Sequence, residues 1–508
     1  MKVNQLKAGV VLSYVGMIAQ SLISIIYTPV MLRILGKSEY GLYSLVSSVV
    51  GYLGLLSFGF GSAYIRYYAK YRVKDDEEGI ARLNGMFMTI YLIIGIIALI
   101  AGSILLFNVK AVFGTGLTLS EIGTTKVLMV LMIINIAISF PVSVFSSYVT
   151  AKEQYLFQRV LNLITCVLNP FLALPLLLLG YKSISLVVVT TIITVISAII
   201  NMWYCFKKLN MKFIFKGFQF GLLKEMFIFS SYIFLNMIVD QINWSVDKFL
   251  LGRYAGTVVV AIYAVGSQIN SYYLNFSTSI SSVFIPKVNR IVSETNDNKV
   301  LTDLFIKVGR VQFIVLSLIL TGFIWFGQKF ISMWAGDGYD DAYIIAILLI
   351  APVTIPLIQN LGIEIQRAKN MHKFRSMLYF FIAIANVFIS IPLCKLYGGI
   401  GAAIGTAISL LIGNGLIMNI YYHKKVGLDM KAFWINILKF VPALIIPSIV
   451  GFVFKYVIGI DSVVKFIVLA IVYAIVFIVS LWIFALNEEE KKLISGPLNK
   501  IKVKLVGN

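Results

Sequence analysis

The sequence predicts an all-α integral membrane protein of about 14 transmembrane helices, built as two six-helix lobes plus a C-terminal helix pair. Three observations carry this reading: an apolar composition, apolar runs of bilayer length along the whole chain, and basic residues gathered at alternate joints between those runs. Of 508 residues, 59% are hydrophobic and 13% are charged, with mean hydropathy +0.92. That balance suits lipid, not water, as the main solvent.

A helix needs about 20 apolar residues to cross hydrocarbon. Spans on that criterion fall near 9–32, 42–64, 84–107, 125–149, 157–179, 184–206, 226–251, 258–284, 311–334, 342–365, 376–396, 400–422, 437–457 and 464–486. The first follows MKVNQLK, is too long for the core of a secretory leader, and precedes no small-residue cleavage site, so it is expected to stay as a span. Of the 43 Lys and Arg residues, 32 lie at the N-terminus, in the segments after even-numbered spans, or in the tail; ten lie on the opposite side, and Lys248 lies inside a span. Cytoplasmic loops collect positive charge, which places both termini in the cytoplasm.

In a soluble chain, a net charge of +21 would suggest nucleic acid. Here the cations come in short clusters beside apolar runs, where anionic membrane lipids are the partner and no nucleic acid is expected. Cys166, Cys205 and Cys394 form no disulfide or metal pattern, and His372 and His423 sit in short basic loops. No catalytic residues, metal or cofactor are expected. The longest outer loop runs from about Asn108 to Thr124, and the largest inner segments are Lys207 to Glu225 and Pro286 to Arg310. They leave no room for a nucleotide-binding domain, and no phosphate-binding loop occurs. These features point to a transporter and not an enzyme, driven by a proton or sodium ion or by the substrate's own gradient.

Two segments recur. Leu35-Gly36 before Tyr40-Gly41-Leu42-Tyr43-Ser44 is echoed by Leu251-Gly252 before Ala261-Ile262-Tyr263-Ala264, and Leu179-Gly180-Tyr181 by Tyr397-Gly398-Gly399, at offsets of 216 and 218 residues. The implied plan is an N-terminal lobe at 1–206 (spans 1 to 6), a cytoplasmic linker at 207–225 and a C-terminal lobe at 226–422 (spans 7 to 12). A terminal helix pair at 437–486 and a cytoplasmic tail at 487–508 complete it. Both halves start inside, so the repeat is parallel and a site is expected between them.

An ionisable group in hydrocarbon costs about 2.5–3.5 kcal/mol on insertion scales, so it normally faces a partner or a cavity. In span 7, Asn236, Asp240, Asn243 and Asp247 share one helical face, with Gln241, Ser245 and Lys248 on the adjoining strip. Gln268, Ser271, Asn275 and Ser282 in span 8, and Gln20, Ser24 and Tyr27 in span 1, could line the same wet cleft. For the neutral groups, interhelical hydrogen bonding is an equal reading; for two acids and a lysine in one span, a cavity is favoured. Asp240 is the deeper acid and the better coupling candidate, while Asp247 and Lys248 can balance each other near the outer face. Glu364 is a further acid, within reach of Arg367. Arg33, Arg66 and Arg253 sit near span ends, where snorkelling and phosphate capture are both open readings. Pro29, Pro141, Pro170, Pro175, Pro352, Pro356, Pro442 and Pro447 fall inside spans and are expected to bend them.

The run TPVMLRILGKSEYGLYSLVSSVVGYLGLLSFGFGSAYIRYYAKY, Thr28 to Tyr71, resembles the N-terminal signature of Wzx-type polysaccharide flippases, in the multidrug/oligosaccharidyl-lipid/polysaccharide exporter superfamily. SVDKFLLGRYAG (Ser245 to Gly256), AIYAVGSQI (Ala261 to Ile269) and LYGGIGAAIGTAIS (Leu396 to Ser409) continue the likeness along most of the chain. The resemblance implies a two-lobed bundle in the bacterial cytoplasmic membrane. By alternating access it would move an undecaprenyl-pyrophosphate-linked glycan to the outer leaflet for O-antigen or capsule, beside polysaccharide polymerase machinery. It also implies that Arg33, Arg66, Lys248 and Arg253, which match basic positions of the family's motifs, meet the pyrophosphate. A lipid II flippase and a drug/cation antiporter are rivals within the superfamily. A membrane glycosyltransferase or polymerase is a more distant alternative, because the outer loops are short and their acidic run, Asp337, Asp340 and Asp341, reads as a solvated loop.

Overall fold

The computed structural model describes residues 5–114, 116–217 and 220–491; helix is the regular structure throughout, and no strand occurs among the described residues. The chain runs through α1 (Gln5–Gly51), a 3-10 segment (Tyr52–Ser57), α2 (Phe60–Val73), α3 (Glu77–Phe107), α4 (Val109–Phe113), α5 (Leu119–Ala151), α6 (Tyr155–Leu178) and α7 (Lys182–Lys207). It continues through α8 (Phe220–Tyr254), α9 (Thr257–Ser282), α10 (Ile285–Glu294), α11 (Asn298–Ala335), α12 (Asp340–Ile358) and α13 (Asn360–Ala368). Next comes α14 (His372–Leu410), extended by π-type turns around α15 (Met418–Tyr421), and then α16 (Met430–Leu438), α17 (Val441–Val453) and α18 (Val463–Phe484).

Among the described residues, 11 helical stretches are long and apolar enough to cross a membrane. Two of them, Val15–Val73 and Lys373–Val426, run 59 and 54 residues, where about 20 suffice for one crossing. Each contains a glycine that leaves the helical region, Gly36 (φ 73°, ψ 172°) and Gly398 (φ 55°, ψ −131°). A side chain at positive φ is strained, so glycine is the residue that lets the chain turn there. Gly180 also has positive φ, but Gly252 lies inside α8, and the corresponding turn falls at Gly256 (φ 85°). That moves the first repeat offset to 220 residues (256 minus 36).

Several boundaries differ from the hydropathy reading. α11 starts at Asn298, well before the apolar run near 311, and α10 occupies much of the preceding segment. These turns are amphipathic: Leu301, Leu304, Phe305 and Val308 are buried while Lys299 and Lys307 stay on the outside. An average over about 20 residues hides that alternation. Pro442 is not interior to a helix but lies in the first turn of α17, after α16 has ended, where a missing N–H costs nothing; the break falls within the apolar stretch Met430–Ile458. The other seven prolines named above are interior to helices.

Contacts gather the chain into two compact units: Met1–Ala264 with Val387–Ala402, and Val265–Asn386 with Ala403–Asn508. In the first, α3 meets α5 along Gly95, Ala98 and Gly102, all buried. A Cβ on Gly95 would lie 2.9 Å from the Ala137 carbonyl oxygen, and one on Gly102 would lie 2.6 Å from Ile133 Cγ2. Small residues allow this approach, and the isoleucines on the opposite side (Ile93, Ile96, Ile97, Ile100, Ile104) are exposed, as a lipid-facing surface requires. One end of this unit packs Tyr64, Tyr68, Tyr91 and Tyr148 around Phe87. There Tyr64 Oη donates to Asn84 Oδ1 (2.5 Å), Asn84 Nδ2 donates to the Lys212 carbonyl (2.8 Å), and Ile214 N donates to the Ala81 carbonyl (3.0 Å). The segment after α7 is thus strapped across the start of α3.

The second unit contains a buried ion pair. Arg310 Nε and Nη2 donate to Glu490 Oε1 (2.6 Å) and Oε2 (2.7 Å), and its remaining donors reach the carbonyls of Asn436 (3.0 Å) and Ala485 (2.9 Å). The guanidinium also lies over the Phe440 ring, 4.5 Å from its centroid. Four of the five N–H donors of the fork are used, which a buried cation needs. Replacing Glu490 with Ala strands that charge, and the expected cost is about 3–5 kcal/mol. Thermal unfolding of the purified protein in detergent measures it; the Arg310→Met, Glu490→Leu double variant should recover most of the loss.

Candidate functional site

The polar face predicted in span 7 lies on α8, and aromatic stacking places this helix in the first unit. Phe58, at positive φ where the 3-10 segment gives way to α2, stacks on Phe227 (4.5 Å) and Phe234 (4.1 Å). Toward the other end, Leu250, Leu251 and Gly252 are buried, and a Cβ on Gly252 would lie 2.3 Å from Leu45 Cδ1. α8 therefore rolls into the unit as it proceeds. As a result, Asn236, Asp240 and Asn243 are exposed, while Asp247, one turn further on, is buried (3% exposed).

Asp247 Oδ2 accepts a 2.5 Å hydrogen bond from Tyr263 Oη on α9, and the tyrosine is itself 4% exposed. A carboxylate out of water needs such a donor. Depth in the bilayer and burial in the protein thus part company: Asp240 is nearer the middle of its span, yet Asp247 is the enclosed acid. Lys248, beside it, is half-buried. Gln241 Nε2 donates to Ser245 Oγ (2.9 Å) and also lies against Gly51, where a Cβ would come within 3.2 Å of it. Sequence reasoning missed Tyr263 as the partner of Asp247, although the residue falls inside the recurring Ala-Ile-Tyr-Ala segment; nothing in spacing along one helix reveals a donor on the next.

The other candidates stand as follows. Gln20 on α1 is exposed. Arg33, three residues before the bend at Gly36, is exposed. Arg66 is exposed on α2, with its guanidinium carbon 4.5 Å from the Phe229 ring centroid. Arg253 Nη1 donates to the carbonyls of Ala111 (3.1 Å) and Val112 (2.9 Å), so it holds the short helix α4. In the second unit, Gln268 Nε2 donates to Tyr272 Oη (2.8 Å), and Glu364 accepts from Arg367 Nη1 (2.8 Å) at the end of α13. No group of three or more His, Cys, Asp or Glu residues among the described ones could hold a metal ion.

Comparison with known proteins agrees with this architecture. Residues 6–292 match the family described as polysaccharide biosynthesis protein. Over 410 residues the chain is 21% identical to a Shigella flexneri protein named as a candidate O-antigen transporter, covering 77% of this chain and 91% of that one. In fold it is similar to the lipid II flippase MurJ in an inward closed conformation, with TM-score 0.73 at 16% identity over 94% of this chain and 98% of the other. It is also similar to an inward-facing multidrug resistance MATE family transporter of the MOP superfamily, with TM-score 0.65 at 13% identity over 82% and 96%. The resemblance read from Thr28 to Tyr71 is borne out, and so is an all-helical fold with many helices of membrane-spanning length.

Replacing Tyr263 with Phe leaves Asp247 short of a donor at a buried position. The expected loss is about 1–3 kcal/mol, read as a lowered unfolding midpoint in detergent. Adding Asp247→Asn should restore part of it, because a neutral amide is less costly to bury than a carboxylate.

Proposed function

The chain belongs to the polysaccharide biosynthesis protein family, and from that premise we propose that it is a flippase. It carries undecaprenyl-pyrophosphate-linked oligosaccharide repeat units from the inner to the outer leaflet of the bacterial cytoplasmic membrane, for assembly of a surface polysaccharide such as O-antigen or capsule. The observation that carries this reading is the family match over residues 6–292, because that stretch includes α8 and its polar face. Asn236, Asp240 and Asn243 are exposed on a helix of bilayer length, where lipid would be a costly neighbour and water or a polar substrate would not.

In this reading the 11 apolar stretches, two of them divided at Gly36 and Gly398, together with Thr257–Ser282, make 14 crossings with both termini in the cytoplasm. Residues 1–206 and 226–422 form two lobes that alternate access, and 437–486 adds a helix pair. The glycan takes a hydrated path lined by the α8 face with Gln20 and Gln268, while the polyprenyl tail stays in the bilayer. Arg33, Arg66 and Lys248 attract the pyrophosphate; Arg253, whose fork is engaged by two backbone carbonyls, holds α4 instead. A proton or sodium ion energises the cycle through Asp240 or Asp247, since Glu364 is already neutralised by Arg367. The polymerase that extends the glycan receives the product.

Depletion of the protein in cells should abolish surface polysaccharide and trap lipid-linked repeat units on the inner leaflet, as measured by mass spectrometry of extracted lipids. Trapped lipid II would select a lipid II flippase, drug sensitivity with normal surface glycan would select an antiporter, and glycosidic bond formation by the purified protein would establish an enzyme.

Asp240→Asn and Asp247→Asn should each leave protein in the membrane but lower flipping several-fold and flatten its response to pH or sodium gradients. If both variants respond as the unaltered protein does, neither acid is the coupling group.

A further inference from the structure

A carboxylate that this transport reading leaves unused stands in the first turn of α5. Glu121 forms a capping box with Thr118: its backbone N donates to Thr118 Oγ1 (3.3 Å), and its Oε2 accepts from Thr118 N (2.9 Å) and Oγ1 (2.7 Å). One oxygen is therefore fixed within the helix end. The other, Oε1, accepts from two hydroxyls on other helices, Ser38 Oγ (2.7 Å) and Thr257 Oγ1 (2.6 Å). Those hydroxyls are 3.5 Å apart. Ser38 lies two residues past the bend at Gly36, and Thr257 opens α9 directly after the turn at Gly256.

The backbone around the carboxylate is as close as glycine permits. A Cβ on Gly41 would lie 1.8 Å from the Thr257 carbonyl oxygen, and one on Gly116 would lie 1.9 Å from that of Gly252. Arg253 ties the same turn to α4. The α8–α9 turn is thus seated against the α1 bend, and Glu121 bridges the two.

We propose that Glu121 is the latch that holds the α8–α9 turn against the α1 bend, and that each transport cycle requires it to open. The inference rests on the flippase reading, in which residues 1–206 and 226–422 are the lobes that move; in this structure the turn and the bend pack within one compact unit, which is the closed state of the latch. The chemistry suits a reversible contact. Hydroxyl bonds to a charged acceptor are roughly twice as strong as neutral ones, yet Ser38 is exposed, so water can replace its hydroxyl at Oε1, and the buried Thr257 hydroxyl is exchanged for water once the turn lifts. Oε2 keeps Thr118 throughout, so the helix end survives opening and the carboxylate stays aimed for closure.

The test uses the full chain with Cys166, Cys205 and Cys394 replaced by Ser and with Ser38→Cys and Thr257→Cys introduced. Mild oxidation should form the disulfide and abolish surface polysaccharide, and reductant should restore it. Separately, Glu121→Ala should raise labelling of Asn243→Cys by a membrane-impermeant maleimide several-fold from outside the cell, with Glu121→Gln between it and the unaltered protein. Failure of the disulfide to form, polysaccharide delivery by the cross-linked protein, or unchanged labelling in Glu121→Ala would each overturn the latch. If the reduced double variant and the unaltered protein alike move no lipid-linked glycan, the flippase reading fails, while cross-linking and labelling still report on the latch.

Discussion

Hydrocarbon offers no hydrogen bonds, and the rest of this structure depends on that constraint. Helices satisfy the backbone internally, which leaves the side chains as the groups that must be provided for. The chain meets the demand in three ways. It pairs enclosed charges fully, as Arg310 does with Glu490 and two carbonyls. It gives an enclosed acid a phenolic donor, as Tyr263 does for Asp247. And it gathers Asn236, Asp240 and Asn243 on one exposed strip of α8, so that their polar ends share a single side of the helix.

Close helix packing uses glycine for a different reason. Lipid tails are as apolar as leucine, so burying apolar surface between helices gains little, and association relies on contact distance. Gly95 and Gly102 bring α3 onto α5, and Gly41 brings α1 onto the start of α9. The first pair builds a permanent core. The second sits beside the Glu121 carboxylate, which bridges the two helices through hydroxyl hydrogen bonds.

The architecture was legible where the signal was an average: composition gave the solvent and apolar runs gave the helices. Pattern along a single helix was also legible in part: Asn236, Asp240 and Asn243 share an exposed strip of α8. Features set by a neighbouring helix were not. Spacing could not show that Asp247 turns inward while Asp240 does not, nor that Arg253 serves α4. Amphipathic ends, as at Asn298 to Arg310, escaped because their apolar residues alternate with polar ones. Thr118 and Glu121 did carry a readable signal, the Thr-x-x-Glu of a capping box, but it announces only a helix start and says nothing of the two hydroxyls from elsewhere.

The Arg310–Glu490 pair has a consequence for biosynthesis. The two residues lie 180 positions apart, and ribosomes extend chains at about 5–20 residues per second, so the arginine exists for roughly 9–36 s before its counter-ion is made. During that interval the guanidinium has to remain near the aqueous interface, and the niche beneath Phe440 cannot close. The second unit is therefore expected to settle late, after the last apolar helix has been inserted and the segment just beyond it has brought in the missing negative charge.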